Sequence, residues 1–157
     1  MRPGTRLVIG YGNDLRGDDA AGQRAALGVA SRGLPGVEVI AVHQLTPELA
    51  EPLAGADRAI FVDAHAASDS PALSVRRILP AIPTSHIGHT FDPRALLALA
   101  ESAFGRAPEA WWITIPGLEF SLGAELSPTA ERGVAEALRA IGPLLGFRSL
   151  KAEATLT

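Results

Sequence analysis

The side chains best suited to chemistry in this chain are a few acids and histidines. Residues 9–22 read IGYGNDLRGDDAAG, where Asp18 and Asp19 follow a Gly-Tyr-Gly-Asn turn, and a further acid, Asp63, ends the apolar run Ala59-Ile60-Phe61-Val62. Nitrogen ligands can come from His43, His65, His86 or His89, and the lack of cysteine excludes thiolate metal sites, disulfides and a cysteine nucleophile. Carboxylates that converge without a basic partner are costly as bare anions. A divalent cation would relieve that repulsion.

A glycine turn between a strand and a helix is also where phosphate binds, so the opposite sign of ligand must be weighed. The dinucleotide pattern needs a third glycine three residues after Gly12, where this chain has Leu15, and Gly17 comes two residues too late. A P-loop would need Gly-Lys-Ser/Thr, and the chain offers Gly17-Asp18-Asp19. Paired acids at a helix start gain from the helix dipole and repel the anion that those motifs hold. One of them, Asp18 or Asp19, can serve as the helix N-cap. A cap needs one side chain, which leaves Asp19 to point over the carboxyl ends of the strands.

Five β-type runs must position these residues: Leu7 to Tyr11, Val37 to Val42, Ala59 to Asp63, Leu73 to Leu79 and Trp111 to Ile115. Helices are expected from Asp18 or Asp19 to about Ser31, from Thr46-Pro47 to about Ala54, after Asp92-Pro93, and from Ser127-Pro128 to about Leu145, each opened by a capping residue or a first-turn proline. The tail after Phe147 is expected to be frayed or loosely docked. Alternating strands and helices predict an α/β sandwich with a mostly parallel sheet. The nine residues from Ala64 to Ala72 are fewer than the dozen or so that a parallel crossover needs, so strand 4 is expected to run antiparallel and the sheet to be mixed. The crevice of such a fold lies beyond the carboxyl ends of its strands, where the loop after strand 1 and Asp63 both belong.

Composition limits the rest. The 157 residues are 47% hydrophobic and carry a formal charge of -3, which suits a single domain over 1–157 and gives nucleic acid no support as a partner. The apolar run ending at the glycines is too short for a signal segment or a membrane span, so a cytoplasmic protein without membrane attachment is expected. A serine triad finds no Gly-x-Ser-x-Gly elbow, and Ser85 beside His86 is only an adjacency.

Several stretches taken together resemble the hydrogenase maturation proteases. Gly10-Tyr11-Gly12-Asn13, Leu15, Asp18-Asp19 and Gly22 are similar to that family's opening motif, Val62-Asp63-Ala64 to its second, and His89-Thr90-Phe91-Asp92-Pro93 with Leu96-Leu97 to its third. His43-Gln44-Leu45-Thr46-Pro47-Glu48-Leu49 and Gly123-Ala124-Glu125-Leu126-Ser127 also resemble family members, so the match runs in order along most of the chain. Where some members have Glu at the first ligand position, this chain has Asp19, one methylene shorter.

The resemblance implies a three-layer α/β/α sandwich around a five-stranded mixed sheet. It also implies an endopeptidase that removes the C-terminal extension of a nickel-iron hydrogenase large-subunit precursor after nickel insertion. Carried over, the metal-binding and catalytic positions are Asp19, Asp63 and His89, with His89 preferred to His86 by its spacing to Phe91 and Pro93. Two carboxylates and an imidazole suit nickel, with zinc or manganese as alternatives. Such an ion polarises the scissile carbonyl or activates water, or else is nickel carried by the precursor and read as a recognition element. Asp18 is the candidate to support a ligand from behind. The rival readings are a nonhydrolytic nickel-binding maturation chaperone and a nucleotide-binding α/β domain.

Overall fold

The computed structural model describes residues 4–82 and 91–147. The loop carrying His86 and His89 and the tail after Phe147 lie outside the described residues.

Leu7, Val8 and Ile9 are all fully buried, as a strand covered on both faces requires. They belong to β1 (Arg6–Tyr11), the second strand of a five-stranded sheet of order β2-β1-β3-β5-β4, with β2 Val37–Val42, β3 Arg58–Ala66, β4 Ser74–Ile78 and β5 Glu109–Gly117. The first three pairings across the sheet are parallel, and β4 pairs antiparallel with β5 from Ser74↔Thr114 to Ile78↔Ala110. The mixed sheet expected from the short Ala64 to Ala72 connection is therefore observed, with β4 at an edge.

Two helical layers cover the sheet. Alternation along the strands sends Leu7, Ile9, Phe61 and Trp112 to one face, which packs on α2 (Ala50–Ala54) and α3 (Pro93–Phe104). Val8, Ile60, Val62, Ile113 and Ile115 face α1 (Ala21–Ala30) and α4 (Pro128–Leu144) on the other side. Full burial of each large aliphatic or aromatic side chain contributes roughly 1.5–3 kcal/mol, so the two clusters together hold the sandwich closed. Helix α1 sits directly on the strands because Gly22 lets it: a Cβ there would lie 2.3 Å from the Val62 carbonyl oxygen.

Helix starts divide into two groups. Asp92 accepts the Ala95 N–H at 2.9 Å and Ser127 accepts the Ala130 N–H at 3.2 Å, each followed by a first-turn proline, so both expected caps are present. The other two starts differ from expectation. Thr46 forms no side-chain cap, and the helix after it opens as a 3-10 turn, Pro47–Leu49. Helix α1 is likewise preceded by a 3-10 turn, Gly17–Ala20, and neither Asp18 nor Asp19 caps it. Both acids are engaged elsewhere. No helix of the described residues is long and apolar enough to cross a membrane.

Candidate metal centre

The order in which strands join the sheet reverses at β1, since β1 leads through α1 to β2 on one side while the parallel strand β3 flanks it on the other. This switch point opens a crevice at the strands' carboxyl ends, where the turn after β1 meets Asp63.

The turn is fastened internally. Gly12 has φ 144°, and a Cβ there would lie 2.1 Å from the Asp19 carbonyl oxygen, so only glycine lets the segment fold back this tightly. Gly12 N donates to the Val42 and His43 carbonyls at 3.2 and 3.1 Å, and Gln23 Nε2 donates to Gly12 O at 2.7 Å. Asn13 N donates to Asp19 Oδ2 at 2.7 Å, and Leu15 N donates to Asn13 Oδ1 at 2.9 Å. Arg16, Asp18 and Asp19 give their N–H groups to the carbonyls of Asn13, Glu119 and Arg16. Amides committed in this way form no cradle for phosphate, which physically disfavours the nucleotide reading.

Asp18 and Asp19 are adjacent but work in different places. Asp18 is fully buried and binds the segment between β5 and α4: it accepts from Leu118 N at 2.7 Å, Glu119 N at 3.0 Å, Ser127 N at 2.7 Å and Ser127 Oγ at 2.6 Å. Burial alone would raise its carboxyl, but these hydrogen bonds from Ser127, Glu119 and Leu118 together outweigh it and hold the group below its ordinary value. The residue expected to cap α1 is thus a buried clamp between two loops. Asp19 is partly exposed and tied by one oxygen to Asn13 N.

Asp63 lies inside β3 and not at its end, because pairing with β5 continues to Ala66↔Gly117. It shares the α2/α3 face with Tyr11 of the adjacent strand, and its Oδ1 accepts Ala64 N at 2.7 Å. Burial pushes the Asp63 carboxyl up to about 6; the nearby Asp19 charge adds to that, while the Ala64 bond and the neighbouring Tyr11 hydroxyl only partly oppose it. Among the described residues neither Asp19 nor Asp63 forms an ion pair. Two carboxylates that repel one another in a partly buried crevice, with no cation beside them among the described residues, fit a divalent ion.

The histidines separate clearly. Because β3 runs on, His65 shares a side with Asp63, yet both of its ring nitrogens are occupied. Nε2 lies 2.9 Å from Ser70 O, so it carries the proton, and Nδ1 then accepts the Thr114 hydroxyl at 2.8 Å. It is a satisfied structural residue. His43 follows β2, is exposed and offers its backbone carbonyl to Gly12. His89 and His86 lie outside the described residues, and among the described ones no three His, Asp or Glu side chains form a metal cluster. Of the three expected ligands the described residues hold Asp19 and Asp63, which lie near enough for the Asp19 charge to act on the Asp63 carboxyl.

Sequence reasoning missed Tyr11. Its phenol is raised well above its ordinary value, by burial first and then by the Asp63 charge, so it stays a protonated donor. The signal was available in the pattern, because Tyr11 and Asp63 are both odd-numbered on adjacent parallel strands whose register pairs Gly10 with Val62.

No protein-family model matches the chain, and no curated protein matches it by sequence. Solved structures do match by fold. The hydrogenase maturating endopeptidase HybD from E. coli superimposes with TM-score 0.74 at 24% identity, over 90% of this chain and 92% of that one. The [NiFe] hydrogenase maturation protease HycI from Thermococcus kodakarensis KOD1 gives 0.72 at 20% identity, with the same coverage of 90% and 92%. A hydrogenase 2 maturation peptidase from Thaumarchaeota archaeon SCGC_AB-539-E09 gives 0.69 at 23% identity, over 92% and 99%. The five-stranded mixed sheet between helical layers is the fold of these enzymes.

Proposed function

We propose that the protein is a hydrogenase maturation protease, an endopeptidase that removes the C-terminal extension from a nickel-iron hydrogenase large-subunit precursor after nickel insertion, in the cytoplasm. The observation that carries this reading is the pair Asp19 and Asp63 at the sheet's switch point, where the Asp19 charge raises the Asp63 carboxyl and neither acid has an ion-pair partner among the described residues. The motif-by-motif resemblance and the fold shared with the maturation proteases support it.

In this reading Asp19, Asp63 and His89 hold a divalent ion, nickel first and zinc or manganese as alternatives. The donor set fits as far as the two described carboxylates go. A bound ion of this kind supplies Lewis acidity for the scissile carbonyl or an activated water. Asp63, whose carboxyl burial raises to about 6 in the metal-free site, would be held ionised as a ligand by such an ion. Asp18 keeps the β5–α4 segment against the metal-side turn, so the crevice wall and Asp19 move as one piece.

The test is cleavage of purified precursor, with and without nickel, by the wild type and by Asp19→Ala, Asp63→Ala and His89→Ala. Each variant should stay folded and lose processing. Normal cleavage by any one of them removes that residue from the essential set, and an intact precursor that still binds the wild type would favour the nonhydrolytic chaperone.

A further inference from the structure

One level of the sheet carries a polar side chain on each of β3, β5 and β4: Asp63 pairs with Thr114, and Thr114 pairs with Ser74. Phe61, Trp112 and Arg76, two residues away on the same strands, face the α2/α3 side, so the three polar residues face it too. The row starts at the crevice and steps about 4.8 Å per strand to the β4 edge. In this row the proton of Thr114 can be placed. A carbonyl only accepts, so in the neutral His65 ring Nε2, 2.9 Å from Ser70 O, carries the proton and Nδ1 is an acceptor. The Thr114 hydroxyl, 2.8 Å from Nδ1, is then the donor. Its one proton is committed to His65, so Thr114 Oγ1 offers only a lone pair to anything else. It makes no other hydrogen bond among the described residues, and Thr114 is partly exposed.

We propose that Thr114 is a substrate-binding residue, whose oxygen takes a main-chain N–H of the peptide lying across the crevice, and that His65 is the positioning residue that holds the hydroxyl as an acceptor. The inference rests on the protease reading and adds to it a contact with the substrate backbone one strand from Asp63. A hydroxyl free to turn would donate to the neighbouring carboxylate or to a peptide carbonyl. Held by His65 it can do neither, so it accepts the one donor every peptide unit carries, the N–H. A chain lying the other way, with a carbonyl against Thr114, meets lone pairs on both sides. The pair therefore fixes the direction of the substrate backbone beside the metal-binding acids, whatever its side chains.

The experiment is steady-state cleavage of purified nickel-loaded precursor by the wild type, Thr114→Val, Thr114→Ser and His65→Phe, beside Zn2+ titration of each metal-free protein. Thr114→Val keeps the shape and removes the acceptor, so KM should rise about 10–100-fold with kcat little changed, as when binding common to ground and transition states is lost. Thr114→Ser should recover most of that loss. His65→Phe keeps a ring in place and releases the Thr114 proton, so its KM should rise as well. Zn2+ affinity should stay at the wild-type value in all three variants, because the contact is to peptide and not to the ion. Wild-type kcat/KM per folded molecule in Thr114→Val would assign the pair to the fold and overturn the proposal, and in His65→Phe it would overturn the role of His65. A parallel loss of Zn2+ affinity would place Thr114 at the ion and overturn it too. A wild type that leaves the precursor intact would instead overturn the protease reading, and the inference with it.

Discussion

Asp63 gives the most direct physical test of the site, because in the metal-free protein it should oppose folding. Its carboxyl moves from 3.8 to about 6 when the chain folds, chiefly through burial and then through the Asp19 charge. A raised acid leaves stability untouched below about pH 3.8, where both folded and unfolded forms are protonated, and withdraws it as pH climbs through 6. Above that the ionised group costs the native state about 3 kcal/mol. Asp63→Asn keeps an oxygen for the Ala64 N–H and cannot ionise. In chelator at pH 8 it should therefore be more stable than the wild type by about 3 kcal/mol, or about 6–12 °C in Tm for a chain of this size, and the gap should close toward pH 4. Denaturant unfolding at intervals from pH 4 to 8 measures this. Parallel stability curves for the two proteins would refute the assignment of a strained, metal-ready carboxylate. Adding Zn2+ at pH 8 should stabilise the wild type and leave Asp63→Asn unmoved.

Two neighbouring positions behave differently. Asp18→Asn places an amide N–H2 against a set of donors, and should lower stability at pH 7 by roughly 2–3 kcal/mol. The wild-type Asp18 contribution is present above the ordinary carboxyl value and is lost as pH falls through its depressed folded value, so the gap between the two proteins should shrink in acid. Gly12→Ala drives a methyl group into the Asp19 carbonyl. It should remove precursor processing while circular dichroism still reports a folded α/β domain, and wild-type processing would show that the turn can relax without moving Asp19.

Much of this was legible in the chain itself, and the parts that were not have physical reasons. Strand β1 is a continuous apolar run from Leu7 and β2 an apolar run broken only at Glu38, each bounded by glycine or turn residues, and sequence predicts them to within a residue. The direction of β4 followed from a connection too short to cross over. The far end of β3 was hidden, because Ala64 to Ala66 are held by pairing with Ile115 to Gly117, a tertiary contact without a local signal. The role of Asp18 was hidden for the same reason, since its partners begin 100 residues away at Leu118. Asp19 and Asp63 were legible as acids near the carboxyl ends of the strands, whereas the expectation for His89 rests on its spacing to Phe91 and Pro93 and falls outside the described residues.

The adjacency of Asp18 and Asp19 acquires a meaning once their partners are known. A 3-10 turn of Gly17–Ala20 spaces neighbouring side chains widely around its axis, so consecutive acids can face opposite ways. One faces inward as a hydrogen-bonded clamp whose carboxyl is held below its ordinary value; the other stays at the crevice with the Asn13 amide on one oxygen. Because Asp18 is turned to the N–H and O–H donors of the β5–α4 segment, its charge is not among those that raise the Asp63 carboxyl, whereas that of Asp19 is. The crevice then carries the charge of two carboxylates and not three, which a single divalent ion can balance. A helix capped in the ordinary way at Asp18 would have left the β5–α4 segment unanchored and Asp19 on a turn free to swing. The departure from the expected cap is therefore the feature that fixes Asp19 on its glycine turn at the crevice.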